Sequence, residues 1–109
     1  MFGDTVITNA PLNNATISGT SEYIEFECSM DLEDGDALQW IRHCADGPVT
    51  ISVNEFVLEE FAGEYLIDGT YNLRVLWPTH LNASCMYECR NILLPPVSAS
   101  AELVVLGKL

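Results

Sequence analysis

The chain has 109 residues, 49% of them hydrophobic, and a formal net charge of −12 from sixteen acidic and four basic side chains. This length fits a single domain, 1–109, with a core over about 5–106, whereas the charge excludes nucleic acid and anionic membrane surfaces as partners because both are negatively charged. No apolar stretch reaches the roughly 18–20 residues that span a bilayer, so we expect no membrane insertion of this segment.

The first third of the chain predicts two strands. A β-branched edge strand over 5–8 is interrupted by Pro11 and resumes over 15–18. Residues 22–30 alternate between apolar and polar side chains, which predicts one strand with Cys28 on its buried face.

Residues 31–36 contain four carboxylates and an Asp-Gly pair, which favours a turn. Carboxylate oxygens are also the ligands that calcium prefers. The segment lacks the downstream glutamate and the flanking helices of an EF-hand loop. We therefore expect a solvated acidic turn and keep a calcium site as the alternative.

The rest of the chain continues as short strands separated by turn signals. Residues 37–44 form the second core strand, with Trp40 inward, whereas 54–62 is not assigned to a strand or a helix. Further strands are predicted over 49–53, 64–67, 71–76, 82–90 and 98–106. The pattern leaves no room for a long helix, so the chain is predicted to be all-β.

The four cysteines can form two disulfides in three ways. Their number against a single lysine, together with N-glycosylation sequons at Asn14 and Asn82, indicates a secreted chain. A zinc site is the alternative, with ligands from Cys44, Cys85, Cys89, His43 and His80. Zinc pairs usually stand on a turn, whereas Cys85 and Cys89 share a predicted strand, so we expect structural disulfides and neither a metal nor another cofactor.

Five segments resemble the variable and intermediate sets of immunoglobulin domains, and together they extend over most of the chain. They are Ile-Glu-Phe-Glu-Cys at 24–28, Leu-Gln-Trp at 38–40, Tyr-Asn-Leu-Arg-Val at 71–75, Tyr-Glu-Cys at 87–89, and the ending at 99–105. The resemblance implies a sandwich of two antiparallel sheets. It also implies that a Cys28–Cys89 disulfide joins the sheets and that Trp40 and Tyr87 pack around it.

The two remaining cysteines are predicted to pair with each other. In an antiparallel pair of strands the numbers of facing residues have a constant sum, so if Trp40 faces Cys89 then Cys44 faces Cys85. The sequence therefore predicts a second disulfide, Cys44–Cys85, within the sheet that carries Trp40.

The acidic, lysine-poor composition and the intermediate-set ending resemble invertebrate cell-surface receptors. They are similar in particular to the membrane-distal domain of hydroid allorecognition proteins, which bind copies of themselves across cell contacts. The resemblance implies an extracellular ectodomain, and we expect its signal and anchor to lie outside this sequence.

Catalysis needs a nucleophile and a base held together, and the sequence contains only two histidines, His43 and His80. It contains no Gly-x-Ser-x-Gly or His-Glu-x-x-His motif. We therefore expect no catalytic residues and no enzymatic activity.

Alternation places a mixed apolar and charged set of residues on the outward face of the sheet that carries Trp40. The set comprises Gln39, Ile41, His43, Met86, Glu88, Arg90, Glu102 and Val104. Ile41, Met86 and Val104 are predicted to form an apolar row. We expect this face to bind a protein.

Six consecutive apolar residues follow the face at 92–97 and include Ile92, Leu93 and Leu94. Such a patch is rarely left in water without a use, and its two prolines reduce the entropy lost on binding. The alternative is a lid, in which Ile92 or Leu93 folds over the end of the sheet.

Three functions remain open. The first is homophilic adhesion in trans, used in self/non-self recognition, through the outward face and the 91–97 loop. The second is a receptor or secreted immune-type domain that binds a different protein or a glycan. The third is a structural spacer that uses neither surface.

Overall fold

A computed structural model describes residues 4–79 and 84–107 of the chain. These residues form the strands β1 (Val6–Asn9), β2 (Asn14–Ile17), β3 (Tyr23–Phe26), β4 (Ser29–Asp31), β5 (Leu38–Cys44), β6 (Gly47–Val53), β7 (Phe56–Val57), β8 (Tyr65–Asp68), β9 (Asn72–Leu76), β10 (Met86–Asn91) and β11 (Ser98–Leu106), with a 3₁₀ helix at Glu59–Phe61. Within the described ranges no helix is long and apolar enough to cross a membrane.

The strands form an immunoglobulin-like sandwich, as the sequence predicts. The larger sheet has the order β2-β11-β10-β5-β6-β7, the facing sheet has the order β3-β9-β8, and β1 pairs with β4. β6 and β7 extend the larger sheet, as added strands do in variable-type domains. One pairing departs from the antiparallel prediction: β2 runs parallel to β11, after residues 10–13 carry the chain from the β1–β4 pair to the larger sheet.

The core lies between the two sheets and is centred on Trp40, which is fully buried. The Trp40 indole N–H donates to the carbonyl of Tyr71 at 2.7 Å, so its polar atom is satisfied. Cys28 and Cys89 form the disulfide that the resemblance implies, and Tyr87 stacks on Phe26 with ring centroids 5.4 Å apart. Each such large buried side chain stabilises the fold by about 1.5–3 kcal/mol.

The strand predicted over 22–30 is divided in two. The β3–β9 ladder ends at Phe26 and Leu73, and two residues later the Cys28 backbone N–H donates to the Asn72 side chain at 3.2 Å. Because a side chain takes the place of a strand partner there, the chain leaves β9 and pairs with β1 as β4.

The unassigned segment 54–62 contains a hairpin turn and the 3₁₀ helix. Asn54 adopts a φ of 53°, which closes the turn between β6 and β7. Its backbone N–H donates to the Leu38 carbonyl at 2.7 Å, and its Oδ1 accepts from the Leu38 N–H at 3.1 Å. The turn is therefore held at the first residue of β5.

The last two strands, β10 and β11, carry part of the face that is predicted to bind a protein. β11 has the predicted limits, 98–106, with Ala101, Leu103 and Val105 buried. β10 begins at Met86, four residues later than predicted, and residues 82–83 of the predicted strand lie outside the described part of the chain.

Candidate functional site

The outward residues of the larger sheet lie in three rows across its strands. The rows are Phe56-Val53-Gln39-Arg90-Ser98, Thr50-Ile41-Glu88-Ser100 and Pro48-His43-Met86-Glu102. Paired residues on neighbouring strands point to the same side of a sheet, and the intervening β10 residues Tyr87 and Cys89 are buried. We call these three rows the outer face.

The apolar row predicted from Ile41, Met86 and Val104 is wrong. Ile41 is only 8% exposed, because it stands in a central strand between Thr50 and Glu88. Met86 and Val104 are exposed, but the β5 member of the predicted row is not. Ile41 is therefore covered by its neighbours on the face and offers little contact area to a partner.

His43 and Glu88 are bound to each other across β5 and β10. Nε2 of His43 lies 2.8 Å from Oε1 of Glu88, whose side chain is mostly buried. The two residues occupy diagonal positions, since Glu88 pairs with Ile41 in the ladder. The carboxylate of Glu88 is thus already used within the domain.

Arg90 is in the opposite situation. Its ladder neighbours, Gln39 and Ser98, are both neutral. Its Nε is shielded from solvent and has no hydrogen-bond partner, and no carboxylate among residues 4–79 and 84–107 lies within ion-pair distance of its guanidinium. Arg90 is partly exposed, so a carboxylate supplied from outside can form charge-assisted hydrogen bonds with the other nitrogens of its guanidinium.

The other two described arginines are engaged within the chain. Arg74 binds Glu25 at 2.9 Å and Asp68 at 3.1 Å, and the hydrogen bond that its Nε donates to Glu25 raises its pKa. Burial lowers the pKa of Arg42, but its Nη1 donates to the Tyr65 hydroxyl at 3.1 Å and the net shift is upward. Nε of Arg42 is shielded without a partner, as Nε of Arg90 is, but within residues 4–79 and 84–107 Arg90 is the arginine whose guanidinium makes no hydrogen bond or ion pair.

Phe56 is a member of the outer face that the sequence analysis missed. It pairs with Val53 at the end of the first row and is 70% exposed. The β6–β7 turn is fixed to Leu38, which pairs with Asn91, so Phe56 stands at the same end of the sheet as the 91–97 loop. The signal that could have located it is the pair Asn54-Glu55, a two-residue turn between apolar residues.

The 91–97 loop is partly packed and partly exposed. Leu94 is 81% exposed and Ile92 is 47% exposed, whereas Leu93 is half-buried and Val97 packs against the core. The loop is therefore not a lid along its whole length, since its tip presents apolar side chains beside the outer face.

Asn91 holds the base of this loop and is itself 2% exposed. Its side-chain N–H groups donate to the Leu93 carbonyl at 3.1 Å and to Oδ2 of Asp36 at 2.8 Å. Its Oδ1 accepts from the Val97 N–H at 2.7 Å. One buried amide thus ties the two ends of the loop together and attaches them to the neighbouring turn.

Asp36 completes this anchor. Besides Asn91, its carboxylate accepts hydrogen bonds from the Thr5 hydroxyl and from the backbone N–H groups of Ala37, Ile92 and Leu93 at 2.8, 3.0 and 3.0 Å. Burial raises the pKa of Asp36, but these hydrogen bonds outweigh it and hold that pKa well below its usual value. The expected solvated acidic turn is wrong at this residue, because its carboxylate is needed to order the loop.

Cys44 and Cys85 form the disulfide predicted from the register, with their Cα atoms 4.8 Å apart. Trp40 faces Cys89, as that prediction assumed, and the register between β5 and β10 has no bulge. The bond links the two central strands of the outer face at the end away from the 91–97 loop.

All four cysteines are in disulfides. Within residues 4–79 and 84–107, no group of three His, Cys, Asp or Glu side chains is arranged to hold a metal ion. His80 and the sequon residue Asn82 lie outside the described residues.

Comparison with known proteins identifies similar structures but no similar sequences. No protein-family model matches the chain, and no curated protein matches it. Many solved structures do match in shape, and the following three are examples.

The first is the complex of Dpr11 IG1 with DIP-gamma, with a TM-score of 0.80 and 14% identity over 96% of this chain; the chain spans only 52% of that one. The RIG-5 IG1 homodimer has a TM-score of 0.74 and 15% identity, over 94% of this chain and 98% of the other. The Ig1 domain of mouse SynCAM 2 has a TM-score of 0.70 and 19% identity, over 91% and 95%. At these identities the similarity establishes the immunoglobulin fold alone.

Proposed function

We propose that the domain is an extracellular recognition module that binds a protein, and in particular a second copy of itself in trans, through the outer face and the 91–97 loop. The observation that carries the proposal is the end of the face where exposed Phe56, Ile92 and Leu94 stand near Arg90, whose guanidinium makes no hydrogen bond or ion pair within residues 4–79 and 84–107.

The composition of this end is typical of an interface. Aromatic residues and arginine are enriched in the centres of protein interfaces, and a few such residues usually dominate the binding energy. The loop is also ordered before binding, because Asn91 and Asp36 fix it through hydrogen bonds. Less conformational entropy is lost when a preorganised loop binds.

Self-association is supported by the charges of the face. Arg90 needs a carboxylate, and a second copy supplies exposed ones, including Glu102 of the same face. In an isologous interface each contact occurs twice, so one arginine provides two ion pairs. The net charge of −12 opposes association at long range, but charges are screened over about 8 Å at physiological salt.

Binding of a different protein is the second candidate. Among structures with this fold, the RIG-5 domain is a homodimer, whereas Dpr11 IG1 is bound to DIP-gamma. The fold therefore serves both modes. The resemblance to hydroid allorecognition domains favours self-binding in self/non-self recognition as the use of this face.

The test is sedimentation of the purified domain over a concentration series, combined with clustering of beads coated with it. We expect reversible self-association at physiological salt and clusters of beads. Leu94→Asp should weaken the association at least about tenfold, which is the usual effect of losing an important interface residue.

Leu12→Asp is the matched control, because Leu12 is also 81% exposed but lies away from the outer face. A wild-type domain that stays monomeric and does not cluster would reject homophilic binding. If Leu94→Asp and Arg90→Glu then also leave binding to cells unchanged, the domain is a spacer; if they abolish it, the partner is a different molecule.

A further inference from the structure

A groove of about 390 Å³ lies along the opposite edge of the sandwich, between β2 and β3. Its lining includes Asn9, Leu12, Asn13, Asn14, Glu25 and Glu27. The lining thus combines amides and carboxylates with one highly exposed leucine, and none of these residues belongs to the outer face.

The first residue of a sequon, Asn14-Ala15-Thr16, stands on the rim of this groove. Asn14 is exposed, and its Oδ1 accepts a hydrogen bond from the Ala15 N–H at 2.9 Å. Its Nδ2 donates to no group in residues 4–79 and 84–107. The amide nitrogen that carries N-linked sugars is therefore accessible.

The register of β2 decides where a sugar on Asn14 would point. Asn14 pairs with Leu103, whose side chain is buried between the sheets, and Ala15 pairs with Val104 on the outward side. Paired residues point to the same side of a sheet. The Asn14 side chain is consequently directed toward the groove and away from the outer face.

The lining suits a sugar. Asn13 uses its Oδ1 to accept from the Glu102 N–H at 2.8 Å, which leaves its N–H groups for sugar oxygens. The Glu27 carboxylate, held by Asn9 at 3.3 Å, can accept from hydroxyl groups. Leu12 offers an apolar surface to the C–H face of a sugar ring.

We propose that Asn14 carries an N-linked glycan whose first sugars lie in this groove. The glycan comes from a lipid-linked oligosaccharide diphosphate: Nδ2 of Asn14 bonds to the anomeric carbon, the carbon–oxygen bond to the diphosphate breaks, and the amide loses one proton. The proposal does not depend on self-association, since the groove and the outer face share no residue.

The test uses the domain secreted from glycosylating eukaryotic cells with Asn82→Gln, so that Asn14 is the remaining acceptor. Mass spectrometry should show an oligosaccharide at Asn14, which Thr16→Ser keeps and Asn14→Gln abolishes. An unmodified Asn14 would overturn the proposal.

Thermal unfolding then tests whether the first sugar of the glycan lies in the groove. We compare the domain that keeps a single N-acetylglucosamine after endoglycosidase treatment with the domain whose glycan has been removed entirely. Complete removal should lower the unfolding midpoint by about 2–5 °C, and Leu12→Ser should reduce that difference. Equal midpoints with and without the sugar would show that the glycan projects into solvent and would refute its placement in the groove.

Discussion

Replacing Cys44 and Cys85 together with alanine should lower the free energy of unfolding by about 3 kcal/mol. The bond closes a loop with a sequence separation of 41, nested inside the Cys28–Cys89 loop with a separation of 61. If the inner bond were the only cross-link, the loop-entropy relation would give about 3.9 kcal/mol.

The Cys28–Cys89 disulfide reduces the entropic stabilisation that the inner bond provides. While Cys28–Cys89 is intact, the unfolded chain already connects Cys44 to Cys85 by a shorter route of about 20 residues, for which the same relation gives about 3.3 kcal/mol. In the folded state β5 and β10 remain paired through their ladder, so the folded structure loses little. The cost therefore arises almost wholly in the unfolded chain.

The assay is urea unfolding under non-reducing conditions, with mass spectrometry to confirm that Cys28–Cys89 is intact. We expect the midpoint to fall and the m-value to rise, because the unfolded chain becomes less compact. The thermal midpoint should fall by about 10–15 °C. A loss below about 1 kcal/mol with an unchanged m-value would refute the entropic account.

Three further predictions concern the loop and the turn beside the outer face. Asp36→Asn should cost about 1–3 kcal/mol at neutral pH. Because folding lowers the pKa of Asp36, its stabilisation is fully present above the unfolded pKa of about 3.9 and is lost progressively as the pH falls from there through the much lower folded pKa. Urea midpoints of wild type and variant should therefore begin to converge as the pH falls below about 4. Asn91→Ala should lower the free energy of unfolding by about 2–4 kcal/mol, because it removes three hydrogen bonds. It should also speed amide hydrogen exchange at 92–97, and unchanged exchange would show that Asn91 does not order the loop. At Asn54, with a φ of 53° and a hydrogen bond to Leu38, stability should fall in the order Asn, Gly, Ala, because glycine relieves only the strain; equal stability of the two variants would contradict this order.

The position of the outer face could be predicted from the sequence, but the exposure of its residues could not. Alternation along β5, β10 and β11 identified seven of its thirteen residues, because a strand with one buried face must alternate, but it missed those that β6 and β7 contribute. Alternation does not state how much of a side chain its neighbours cover, so Ile41 was expected in solvent, and the burial of Ile41 became apparent only when β6 and β10 were placed on either side of it.

The anchoring of the 91–97 loop is the part that sequence reasoning could not reach. Asp36 and Asn91 are 55 residues apart in the chain, and each alone resembles an ordinary turn residue. From the sequence, each of the four carboxylates in this turn is expected to be solvated. In the fold, five hydrogen-bond donors surround the carboxylate of Asp36.

The sequence by itself predicted the sandwich and the Cys28–Cys89 disulfide through its resemblance to immunoglobulin domains. It predicted Cys44–Cys85 through the strand register, because facing positions in an antiparallel pair have a constant sum. Tertiary structure decided which outward residues are available. Exposure, hydrogen bonding and charge pairing depend on residues distant in sequence, and these left Phe56, Leu94 and Arg90 at one end of the outer face and Asn14 on the rim of the groove.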